Sequence, residues 1–166
     1  MHAFRFAAIA ALGAATATLA ACDNAPGQRQ VLRIASAHIV APATPDRPGA
    51  GYFTVEGGDV PVELVAVTTN LAQRVDMHQT VKEGGMTSMR ELRSAAVPVQ
   101  GKLEFKPGGN HLMVWGINGA AVRAGYLPMV FTFSNNDRIL FDVEIRTPEA
   151  AAQAGAAKDG GAHQGH

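Results

Sequence analysis

Histidine and methionine are the residues of this 166-residue chain best equipped for chemistry, and they are unevenly placed. Met77, His78, Met86, Met89, His111 and Met113 fall within 37 residues. Methionine ordinarily fills gaps in an apolar core, so strand geometry has to separate ligands from packing. In His111-Leu112-Met113 the imidazole and thioether stand two residues apart, which puts both on one face of a strand and Leu112 on the other. Between Val81 and Met86, Lys82-Glu83-Gly84-Gly85 reads as a hairpin turn. With Glu83-Gly84, or all four residues, as the loop, His78 faces Met89; with Gly84-Gly85 as the loop, Met89 faces Thr80. In each register Met89 shares the face of His78, whereas Met77 and Met86 fall on the other face and are assigned to packing. A bulge or an odd-length loop would break that inference.

Two imidazoles and two thioethers form a donor set with a marked preference. Soft thioethers select Cu(I); zinc favours thiolate, imidazole or carboxylate, and magnesium or calcium need oxygen. A blue-copper electron-transfer centre takes a Cys thiolate beside two His, and the chain's single cysteine, Cys22, lies outside the expected domain. The four donors His78, Met89, His111 and Met113 are all neutral. They offer no negative charge to hold a divalent ion, and the metal can pass to a thiolate-bearing partner, which suits carriage.

Such a set must be positioned by strands. Val31–Val40, Tyr52–Glu56, Val62–Thr68, Arg74–Val81, Met86–Leu92, Lys102–Phe105, His111–Ile117, Met129–Phe133 and Ile139–Arg146 are separated by Gly, Pro, Asn and Asp. Alternation is clearest in the last, where Ile139, Phe141, Val143 and Ile145 oppose Leu140, Asp142, Glu144 and Arg146. This pattern predicts an all-β domain over residues 31–147, an antiparallel β-sandwich or Greek-key barrel. His38 falls on the first strand as a structural or surface residue. By parity Trp115 continues the face of His111 and Met113, as a shield for the metal, a partner contact or a core residue. Asp76 shares the parity of His78, either orienting its imidazole or standing as an exposed carboxylate.

Residues 1–21 read as a secretory signal: Arg5, then an apolar stretch too short to span a membrane, then small residues. Leu19-Ala20-Ala21-Cys22 resembles a bacterial lipobox, which makes Cys22 the lipidated first residue of a membrane-anchored, periplasmic protein; residues 22–30 are then its tether. Asp23 resembles an inner-membrane retention signal. Residues 148–166 turn rich in Ala and Gly and are expected to be flexible, with His163 and His166 a second candidate site, for Cu(II). Fourteen basic residues against fourteen acidic ones leave no electrostatic footprint for nucleic acid. No nucleophile elbow, Walker loop or HExxH motif is present, so an enzyme is not expected.

The spacing His78-x10-Met89-x21-His111-x-Met113 resembles that of the PCuAC-type periplasmic copper chaperones. AGYFTVEGG at 50–58 looks like the family's early strand and turn, and LEFKPGGNHLMVWGI at 103–117 like its approach to the HxM pair. The resemblance runs from Val31 to Arg146. It implies a cupredoxin-like β-sandwich, a shallow Cu(I) site made by His78, Met89, His111 and Met113, and a monomer that delivers copper to an accepting protein such as cytochrome c oxidase or its assembly factors. The chain departs from many relatives in its expected lipid anchor, which would raise its concentration near a membrane-embedded acceptor. The alternative is a structural or interaction lipoprotein of the cell envelope whose methionines only pack.

Overall fold

The computed structural model describes residues 30–159, with side chains up to 154. The expected signal sequence, Cys22, most of the expected tether, and His163 and His166 lie outside the described residues.

Ten strands and two helices follow one another: β1 Arg33–Val40, β2 Gly49–Glu56, β3 Val62–Thr68, β4 Arg74–Glu83, β5 Met86–Glu91, β6 Ala95–Val97, β7 Lys102–Phe105, β8 Asn110–Trp115, α1 Gly119–Ala124, β9 Tyr126–Phe133, β10 Arg138–Arg146 and α2 Pro148–Asp159. The strands join in the order β5-β4-β8-β2-β1-β10-β9-β3-β6, with β7 pairing farther along β2. The pairings are antiparallel except that of β1 with β10. The path curls so that β3 comes against β4 and β6 against β7. The result is the expected all-β cupredoxin-like sandwich around one core.

Period-two patterning builds that core. Phe53 and Val55 on β2, Leu112 and Val114 on β8, and Leu127, Met129, Phe131 and Phe133 on β9 all point inward and are buried. Phe53 stacks on Phe105 at 4.2 Å between ring centres and meets the edge of Phe131 at 5.0 Å. In β10, Val143 is buried and Ile139, Phe141 and Ile145 pack against the core while Leu140, Asp142 and Glu144 face water, as the alternation predicts. In β1 the buried pair is Ile34 and Ile39, an odd spacing that a register shift between Ile34 and Ser36 accommodates.

Three elements were not expected from the sequence. β6 is three residues long and buries Ala95 and Val97 against β3. Helix α1 starts where the Asn118 side chain accepts the Ala120 N–H at 2.8 Å, and ends at Gly125 with φ +79°, whose N–H donates to the Ala121 and Val122 carbonyls. The third lies in the segment expected to be flexible: residues 148–159 form α2. Thr147 caps it, its hydroxyl oxygen accepting the Ala150 N–H at 3.2 Å, Pro148 stands at the first helical position, and alanine is the best helix former. Among the described residues no helix is long and apolar enough to cross a membrane.

Candidate metal centre

The hairpin of β4 and β5 turns on Gly84 and Gly85, with φ of +58° and +81°. Two consecutive residues at positive φ make the tight turn whose twist matches that of the strands, and glycine adopts it without a steric penalty. The loop is therefore Gly84-Gly85, Glu83 pairs with Met86, and Met89 stands opposite Thr80. Of the two registers open to the sequence, this one leaves His78 opposite Glu91 on β5.

The other edge of β4 pairs with β8, where His78 is directly opposite His111, Asp76 opposite Met113 and Arg74 opposite Trp115. The β7–β8 turn is closed by Lys106 and Asn110, the Lys106 N–H donating to the Asn110 carbonyl at 2.7 Å, and is fastened to β4 by the Thr80 N–H donating to the Gly109 carbonyl at 3.1 Å. The imidazoles of His78 and His111 lie 6.1 Å apart between centres, inclined by 26°. Met89, His111 and Met113 line one shallow open depression with Thr80, Tyr52 and Ala50; His78 stands beside it against the ring of His111.

Both imidazoles are half-buried, and their Nδ1 atoms differ in their surroundings. Nδ1 of His111 lies 3.1 Å from the Gly109 carbonyl. A carbonyl only accepts, so this contact places the proton on Nδ1 and leaves the Nε2 lone pair for a metal. Nδ1 of His78 is buried with no hydrogen-bond partner. A buried polar atom without a partner is costly, and an ion bound through this nitrogen itself would relieve that cost. Among the described residues no three His, Cys, Asp or Glu side chains converge as a metal site. The further donors on this face are the thioethers of Met113, half-buried, and Met89, 63% exposed on the edge strand. Half-burial pushes the Tyr52 phenol up, so the depression gains no anion from it.

Met77 is buried, as assigned from parity, but Met86 is not a packing residue: it is 75% exposed. The hairpin tip projects past the core, so neither of its faces has anything to pack against. Asp76 is not paired with His78. Its Oδ2 instead accepts the Trp115 indole N–H at 3.2 Å and receives Arg74 Nε at 2.8 Å. Trp115 keeps the face its parity predicts and lies outside the buried core. His38 is on β1 opposite Glu144, its ring 5.5 Å from that of Tyr52. Sequence reasoning passed over Arg74, although it shares the parity of Asp76, and Tyr52, whose place beside His111 depends on a strand pairing that sequence does not disclose.

The family model described as "Putative lipoprotein LpqE-like" matches residues 32–145. "Putative lipoprotein Lxx21020" of Leifsonia xyli subsp. xyli is 27% identical over 73 residues, 43% of this chain and 44% of its own, so the chain spans less than half the length of that relative. The copper-bound PCuAC domain from PmoF2 superposes with a TM-score of 0.57 at 17% identity, covering 73% of this chain and 99% of that one. Cu(I)-bound DR1885 from Deinococcus radiodurans gives 0.57 at 21% identity, covering 75% and 85%. At these identities the structural likeness establishes the fold, which is the one the sequence resemblance implied. The chain belongs to the LpqE-like lipoprotein family and is built on the fold of PCuAC domains.

Proposed function

We propose that this chain is a Cu(I) carrier of the bacterial cell envelope, binding one ion through His78, Met89, His111 and Met113. The observation that carries the reading is the β4–β8 register, which sets His78 against His111 with Met113 on the same face and Met89 in the same depression. The unpartnered His78 nitrogen and the fixed tautomer of His111 support it. So does the fold, shared with domains whose solved structures hold copper.

The donor set accounts for carriage. Four neutral ligands hold a monovalent soft ion without the charge that would favour a divalent one. The depression is open and Met89 is exposed, so an incoming thiolate can reach the metal and displace the thioethers one at a time. The accepting protein is then a thiolate site such as the copper centre of cytochrome c oxidase or one of its assembly factors. Lipidation at Cys22 holds the carrier at the periplasmic side of a membrane, and His163 and His166 supply a second, weaker site for Cu(II).

Titration of the chain with Cu(I) against a competing chelator tests the reading. One tight equivalent, weakened in Met89→Leu and in His111→Ala, is expected. No binding by the parent, or binding in both variants as tight as the parent's, overturns the donor set and leaves the interaction lipoprotein.

A further inference from the structure

We propose that Asp76 is a positioning residue that, through Trp115, walls the Met113 end of the metal centre against incoming ligands and slows loss of the bound ion; the proposal rests on the copper reading above. The register supplies the frame. Trp115 and Arg74 form one cross-strand pair, and Asp76 and Met113 the next, on the face that carries His78 and His111. The indole does not stay in its own row. Its Nε1–H donates to Asp76 Oδ2 at 3.2 Å, so the ring leans diagonally toward the carboxylate that stands opposite Met113. The same oxygen receives Arg74 Nε at 2.8 Å, and the guanidinium carbon of Arg74 lies 5.0 Å from the centre of the Trp115 ring. One carboxylate thus holds the edge of the indole and the cation that covers its face.

Fold stability gives this cluster little reason to exist. None of the three belongs to the buried core, and the side chain of Arg74 is 61% exposed; ion pairs so exposed contribute little. Beside a neutral donor set the same cluster has a use. No net ligand charge holds the ion, so a soft donor arriving from solution competes directly with the thioethers, and the shell around a metal governs such access. An indole drawn toward the Asp76–Met113 pair would shield that side while the Met89 side stays open.

The test uses the full-length chain in detergent, loaded anaerobically with one equivalent of Cu(I) and mixed with excess Cu(I) chelator. Absorbance of the chelate gives the release rate; fluorescence of Trp115, the chain's single tryptophan, reports the ring's surroundings. Asp76→Ala and Trp115→Phe, which keeps a ring but has no N–H to tie, should each speed release roughly five- to tenfold. Asp76→Asn, still an acceptor for the indole but without the Arg74 ion pair, should fall between. Because Asp76 acts through the indole, Asp76→Ala should add nothing in the Trp115→Phe background. Release at the parent's rate in either single variant, or effects that multiply in the double one, overturns the proposal while the copper reading stands. A parent chain that takes up no Cu(I) overturns both.

Discussion

His111 and Met89 have the same assignment from unequal positions. His111 sits half-buried on an inner strand with its proton fixed by the Gly109 carbonyl, so its lone pair is oriented before any metal arrives. Met89 is 63% exposed on an edge strand and must lose side-chain freedom on binding. Copper affinity should therefore depend more on the imidazole. His111→Ala is expected to weaken Cu(I) binding by roughly a hundredfold or more, and Met89→Leu, which conserves volume and leaves the fold intact, by roughly tenfold. Competition titrations with a chelator of known affinity check the order, and a Met89 variant weaker than the His111 variant would contradict it. At this scale the sequence is informative about type and face: His78, Met89, His111 and Met113 all occupy the face that parity gives them. It is uninformative about surroundings. Parity puts Met86 on the packing face, yet no core lies beneath a hairpin tip, and it puts Asp76 on the face of His78 without revealing that Trp115 and Arg74 claim its oxygen first.

Among the elements, the β4–β5 hairpin carries the greatest demand, because it alone brings Met89 to the centre. Its two turn residues both need positive φ, and a slip of one residue would turn Met89 to the opposite face. Gly85→Val should strain the turn by about 1–2 kcal/mol. Every residue of β5 is exposed, so the core has little stake in this turn. The expected outcome is weakened Cu(I) binding with a nearly unchanged midpoint of urea unfolding; a large fall in the midpoint with copper affinity intact would show that the turn serves the core instead. The hairpin also marks where sequence reading ends. Four residues of turn composition were compatible with two registers, and only the observed backbone selects between them. The remaining misses have separate physical causes. β6 is too short for its alternation to register, and the Ile34/Ser36 shift breaks the parity of β1. In α2 a lack of large side chains argues against packing but not against a helix, for which Thr147, Pro148 and the alanines are sufficient signals.

Taken as one molecule, the sandwich separates what keeps it folded from the residues proposed to bind metal. Phe131 is fully buried and meets Phe53 edge-on, whereas the four proposed ligands are on the outer face. Phe131→Ala should remove about 3–5 kcal/mol of stability, a large part of the roughly 5–15 kcal/mol typical of a domain, while the fraction that remains folded keeps the parent's Cu(I) affinity. The separation has a thermodynamic consequence. A ligand that binds only the native state stabilises it by about 2.7 kcal/mol when free metal is a hundred times its Kd. The unfolded chain keeps the side chains of His78, Met89, His111 and Met113 but not the strand register that brings them together, so its competition for Cu(I) is weak. Anaerobic thermal scans at buffered free Cu(I) should therefore raise the melting temperature of the parent and of Phe131→Ala by matching free energies, and leave that of His111→Ala almost unmoved. A rise of equal size in His111→Ala would place the copper elsewhere in the chain, and no rise in the parent would mean that the outer face holds no ion at all.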